Sequence, residues 1–171
     1  MNVKFLNPFV EAAFEVMQAE TGVAMQRGDL SLEKNAYITD DVTVIIALVG
    51  MVDGTVFYSM TEETAVRFAT KMLGEKFEKF TSLAQSGIAE LGNVITGRAS
   101  VKLAQTGYEA TISPPTVLIG KGASLSTLDY PRIILPMSSE LGRVMIHLSL
   151  RQGRSNMDSA HIPVPNAPLT T

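Results

Sequence analysis

Glu90 and Asn93 stand three residues apart in the run Ser86-Gly87-Ile88-Ala89-Glu90-Leu91-Gly92-Asn93-Val94-Ile95-Thr96-Gly97. In a helix an i, i+3 pair lies one turn apart, so an ionised acceptor and a group that both donates and accepts hydrogen bonds would project side by side. Advancing about 100° per residue from Ser86, the positions of Glu90, Asn93 and Gly97 fall within roughly 40° of it, and the four share one stripe. Ile88, Leu91, Val94, Ile95 and Ala99 fall on the other side, giving the helix a dry face and a chemical face. Gly97 removes a side chain from the chemical stripe and would let another protein's backbone come close.

A Glu and an Asn on a helix surface are ordinarily just solvated. Gly87, Gly92 and Gly97 argue against that here. Each costs a helix interior up to ~1 kcal/mol relative to Ala, and such a loss implies a gain elsewhere.

The element that must carry this stripe is a long helix. Ser82 and Gln85 have capping-box spacing, and no proline intervenes before Gln105, with Gly107 beyond it. Upstream, Asn7-Pro8 supplies a cap and a first-turn proline for a helix over 9–20, closed by Thr21-Gly22. Val23 to Leu32 alternates weakly around Gly28-Asp29 and reads as a weak or bulged strand. Val42 to Val49 and Thr55 to Met60 are β-branched and aromatic, and Asp53-Gly54 between them suits a tight hairpin turn. Thr61-Glu62-Glu63 then opens a second helix whose core face is Ala65, Phe68, Ala69, Met72 and Leu73, stopped by Gly74.

Beyond the long helix come strands at Ala110 to Ser113, Thr116 to Gly120, Arg132 to Met137 and Gly142 to Leu150, with a Pro114-Pro115 break. The last alternates cleanly, Val144, Ile146, Leu148 and Leu150 against Arg143, Met145, His147 and Ser149. The order predicts an α+β fold in which helices cover one antiparallel sheet. Residues 1–150 form the expected single domain, and 151–171, with Pro163, Pro165 and Pro168 among Ser, Asn and Thr, an expected mobile tail.

Composition narrows the chemistry. The 171 residues include no Cys, which excludes thiolate zinc sites, iron–sulfur clusters, disulfides and a cysteine nucleophile. With His147 and His161 alone, a histidine metal cage is not expected. A net charge of −3 and a pI near 5.4 offer no basic field for a nucleic-acid backbone. The most apolar stretch, Val42 to Val52, is roughly half of a membrane helix's length. The opening Met1 to Pro8 carries no secretion pattern, so a soluble cytoplasmic protein is expected.

Other signals are weaker. Gly120-Lys121-Gly122 lacks the upstream Gly and following Ser or Thr of a phosphate loop. His147 has no Asp, Ser or second His nearby in sequence to suggest a triad and reads as structural. Asp40-Asp41 suits a turn and Glu62-Glu63 a helix N-terminus better than a metal. Arg98, next to Gly97, could meet an acidic partner.

The Ser86-x-x-x-Glu90-x-x-Asn93-x-x-x-Gly97 pattern resembles the signature helix of the CheC/CheX/FliY family of phosphatases acting on the chemotaxis response regulator CheY. Asn7-Pro8-Phe9, Ile119-Gly120-Lys121-Gly122 and the element order are similar to its CheX branch over roughly residues 1–150. Two-site members repeat Glu-x-x-Asn on the first helix, where this chain has Glu11-x-x-Phe14 and Glu15-x-x-Gln18, so the resemblance implies one site. It further implies that Asn93 enters the regulator's active site to hold the attacking water, that Glu90 pairs with the regulator's lysine, and that Ser86 and Gly97 supply shape. Also implied are a homodimer joined through edge strands and no cofactor bound by this chain, the divalent metal (Mg) coming with the regulator. The competing expectation is a non-catalytic module that docks the same helix on a response regulator or flagellar switch component.

Overall fold

A computed structural model describes residues 3–127 and 130–153. After a 3-10 turn at Val3–Phe5, α1 spans Leu6–Thr21, and β1 (Gln26–Arg27), β2 (Ser31–Glu33) and β3 (Tyr37–Ile38) are short. Then follow β4 (Val42–Gly50), β5 (Val52–Met60), α2 (Glu62–Leu73) and α3 (Ser82–Gln105). The chain continues through β6 (Ala110–Ile112), β7 (Thr116–Ile119), β8 (Ser124–Leu125), β9 (Arg132–Ser139) and β10 (Gly142–Gln152).

Eight strands form one antiparallel sheet in the order β1-β9-β10-β5-β4-β6, with β2 also on β9 and β7 also on β4; β3 and β8 pair separately. The expected α+β architecture is therefore the observed one. The weak strand predicted over 23–32 is β1 and β2, two pieces laid on β9 and parted near Gly28.

Alternation sorts each long strand by face. Val42, Val44, Ile46 and Leu48 join Val56, Tyr58, Met60, Ile146 and Leu148 under the helices in one buried cluster with Phe9, Phe68, Ile88, Leu91 and Ile95. The opposite face is polar yet closed: Thr43, Ser59, Arg132, His147 and Ser149 are all buried there. Tyr37 on β3 covers this layer, its ring stacked 5.5 Å from Phe57 and 4.5 Å from His147, its hydroxyl 3.0 Å from Thr43 Oγ1.

Three local expectations need correction. The β4–β5 hairpin does not turn at Asp53-Gly54. Gly54 pairs with Leu48, so the reversal falls at Gly50-Met51 and Gly54 lies inside β5. Its reason for being glycine is close approach, since a Cβ there would lie 2.0 Å from the Ser149 carbonyl oxygen of β10.

The caps also shift. Asn7 lies within α1 and Phe5 takes the cap position without a side-chain bond, although Pro8 does occupy the first turn, where no N–H is needed. At α3 the cap is Thr81, whose Oγ1 accepts from the Ala84 amide at 3.3 Å, while Gln85 Nε2 donates to the Phe80 carbonyl. A threonine one residue before the predicted serine does the same chemistry.

Finally, β10 runs past Leu150. Arg151 clamps Asp53 across the strands through Nε and Nη2, so Arg151 and Gln152 belong to β10 rather than to the expected tail, and the Gly153 amide beyond them donates to the Met51 carbonyl. The rest of that tail, with His161, lies outside the described residues.

Candidate functional site

α3 rests against α1, α2, β4, β6 and β7, which leaves one long strip of its surface open. Ser86 and Glu90 are exposed on that strip, and Asn93 and Gly97 are half-buried. Asn93 Nδ2 donates to Glu90 Oε2 at 3.3 Å. The carboxylate thus engages one amide proton, and the amide retains a carbonyl and a second N–H for other partners.

Of the dry face, Ile88, Leu91, Ile95 and Ala99 are buried, and Val94 is partly so at the border. The glycines divide by cause. A Cβ on Gly87 would lie 3.2 Å from Leu73 Cδ1 of α2, so the missing side chain makes room for Leu73, which is exposed at the α2–α3 contact and not in the core as expected. A Cβ on Gly92 would lie 3.1 Å from both Tyr58 Cδ2 and Val44 Cγ1, so this turn of α3 sits directly on the sheet. Gly97 has only Ile112 Cδ1 at 3.8 Å. Two of the glycines serve internal packing, and Gly97 alone leaves open space on the stripe.

The structure brings Ser86, Glu90, Asn93 and Gly97 together on one strip. The Ser86 hydroxyl donates back to the Ser82 carbonyl at 3.0 Å. Arg98 is exposed but lies towards α1, where its charge helps to hold the Glu15 carboxyl below its ordinary range, behind the hydrogen bond from Lys102. Lys102 donates to Glu11 Oε2 at 3.0 Å and Glu15 Oε1 at 2.8 Å, and both contacts raise its own pKa. Both α1 carboxylates that could have mimicked Glu90 are thereby tied to α3, and Phe14 packs on the core.

One feature of the site left no trace in local sequence. Thr96, fully buried, donates its hydroxyl proton to the Gly92 carbonyl at 2.8 Å, and Tyr58 Oη lies 2.7 Å from Thr96 Oγ1. A threonine hydroxyl has one proton, so in this arrangement Tyr58 is the donor. Burial holds the phenol well above its usual range, which keeps that proton in place.

His147 is buried on the far face, its Nε2 3.5 Å from Ser59 Oγ; Nδ1, like Arg132 Nε, has no hydrogen-bond partner among the described residues. Burial, and then the charge of Arg132, push its pKa down to about 4, so the ring is neutral near neutral pH. It belongs to the packing beneath Tyr37 and is separate from the α3 stripe. No group of three or more His, Asp or Glu able to hold a metal occurs among the described residues, and no helix there is long and apolar enough to cross a membrane.

A family sequence model described as "Chemotaxis phosphatase CheX" matches residues 42–138, more than half of the chain. The CheY-P phosphatase CheX of Thermotoga maritima is 27% identical over 155 residues, covering 90% of this chain and 99% of that protein. Among solved structures, a CheC-like superfamily protein from Shewanella sp. PV-4 superposes with a TM-score of 0.80 at 31% identity, covering 88% of this chain and 99% of the other. CheX in the CheX–CheY–BeF3–Mg complex from Borrelia burgdorferi superposes with a TM-score of 0.74 at 26% identity, covering 88% and 100%.

Proposed function

Because the chain belongs to the CheX family of chemotaxis phosphatases, we propose that it hydrolyses the aspartyl phosphate of a CheY-like response regulator, using Asn93 as the catalytic residue and Glu90 as the docking group. Hydrolysis of an acyl phosphate needs a water in line with the scissile P–O bond and neutralisation of the charge that spreads over the equatorial oxygens. The regulator brings its own divalent metal and lysine for the second task. The helper's part is to place the water.

The observation that carries this reading is the Glu90–Asn93 pair, in mutual contact on the open strip of α3 with unfilled space at Gly97 one turn on. Glu90 meets the regulator's lysine as a charge-assisted pair, which sets the helix's register. Asn93 then holds the water through its carbonyl or its second N–H, both left unused by Glu90. Ser86 and Gly97 shape the strip, and Arg98, exposed on the α1 side of α3, is offered to acidic surface on the regulator beyond the strip. The contribution is one of position, and removal of such a group commonly lowers rate by on the order of 10²-fold.

The test is phosphate release from an acyl-phosphorylated regulator. Sub-stoichiometric wild-type protein is expected to turn over many equivalents, and Asn93→Ala to lose most turnover while still binding. Undiminished turnover by Asn93→Ala would refute the assignment, and failure of the wild type to exceed one equivalent would leave a non-catalytic docking module.

The reading places the chain in the cytoplasm with its regulator. It also extends to a homodimer through a sheet edge, because both borders of the open sheet, β1 with β2 and β6 with β7, are short broken strands that a second copy can extend. Sedimentation at micromolar concentration tests that extension, and a purely monomeric species would overturn it.

A further inference from the structure

Fully buried hydroxyl pairs between a helix and the sheet beneath it are directional in a way that apolar contact is not. Leu91, Ile95 and Ala99 allow α3 to roll or slide by small amounts over the strands at little cost, because hydrophobic contact has no preferred angle. The Tyr58–Thr96 bond at 2.7 Å does not.

We propose that Tyr58 and Thr96 are positioning residues that fix the depth and rotation of the Glu90–Asn93 turn, with Gly92 as the contact point. The inference rests on the reading that Asn93 acts inside the regulator's pocket.

Around the helix axis Gly92, Thr96 and Asn93 follow one another at intervals of roughly 40° and 60°, so the side chain anchored to the sheet and the one offered to the partner are neighbours on the circumference. Gly92 sets the height, since the absent Cβ lets the helix backbone settle on the Tyr58 ring and Val44. Thr96 sets the rotation: its oxygen accepts from Tyr58 and its proton goes to the Gly92 carbonyl, locking the turn between residues 92 and 96 to β5. Asn93 lies inside that turn. Placement of an attacking water tolerates little error, because misplacing a reacting group by about 1 Å can remove 10²-fold in rate.

The decisive experiment uses the full chain with the double substitution Tyr58→Phe/Thr96→Val. Removing both hydroxyls leaves no buried polar group orphaned, so the melting temperature stays close to wild type. Turnover of phosphorylated regulator is expected to fall roughly 10-fold in kcat with KM unchanged. Affinity for the beryllofluoride form of the regulator is expected to stay the same. The single Tyr58→Phe variant, in which Thr96 keeps its bond to Gly92, is expected to show the same split, and Thr96→Ser, which keeps both hydroxyl bonds, to retain wild-type kcat.

A stable double variant with wild-type kcat would overturn the inference, as would a kcat that merely tracks melting temperature across the series. Asn93→Ala is run alongside. If it is inactive and the double variant is fully active, the positioning role alone falls; if Asn93→Ala is fully active, the reading beneath it falls first.

Discussion

Asn93 and Glu90 hold each other through an Nδ2–Oε2 hydrogen bond of 3.3 Å, so the acid proposed to dock also limits the motion of the amide proposed to act. The two roles can be separated by chemistry.

Glu90→Gln keeps an oxygen able to accept from Asn93 but loses the charge. Its kcat should stay within a few-fold of wild type, KM should rise roughly 10-fold, and the salt dependence of KM should flatten. Glu90→Ala loses both functions and should depress kcat as well. Initial rates against regulator concentration at low and high salt check both.

The glycines of α3 should respond with opposite signs. Gly97→Ala meets only a loose contact with Ile112 and should stabilise by up to ~1 kcal/mol through helix propensity. Gly92→Ala crowds Tyr58 and Val44 at 3.1 Å and should destabilise by about 1 kcal/mol, overpacking outweighing the propensity gain. Gly97→Trp should melt like wild type yet lose turnover by blocking the partner. Thermal melts paired with phosphate release distinguish the three.

Gly54→Ala should be far more damaging. Its φ of 143° and a Cβ 2.0 Å from the Ser149 oxygen force β5 and β10 apart, for a loss of about 4 kcal/mol or more. Gly22→Ala, left-handed but with nothing within 4 Å, should cost only about 1 kcal/mol. Urea denaturation of the two variants provides the comparison.

His147 should make stability fall on mild acidification. Its pKa in the fold is about 4, depressed below the ordinary 6.5, so between those values the unfolded chain binds a proton that the folded chain refuses. Stability is fully present above about pH 6.5 and is lost progressively as pH drops towards 4, by up to ~3 kcal/mol. His147→Phe, which keeps a ring against Tyr37, should flatten that slope. Unfolding free energies at pH 7 and pH 5 for the two proteins measure it.

What could be read in advance was what repeats locally. α2 emerged because a surface helix with one core face prints its period on the sequence, and the stripe of α3 because Glu90 and Asn93 are three residues apart. Asp53-Gly54 misled because glycine answers two needs, turn geometry and close backbone approach, and only the strand at 149–150 decides between them. The same ambiguity hid the packing role of Gly87 and Gly92. Tyr58 and Thr96 are 38 residues apart and had no local pattern to announce them. The two-residue strands β3 and β8 carry too few positions for any alternation to register.

Lys102 bridges Glu11 and Glu15, so these two acidic side chains of α1 already have a cation in hand. On the proposed reading, that arrangement bears on the valency of the molecule. If Glu90 docks as proposed, each chain grips one regulator through one lysine-seeking acid, titration should saturate at a single equivalent, and any higher capacity has to come from joining chains rather than from a second grip on the same one.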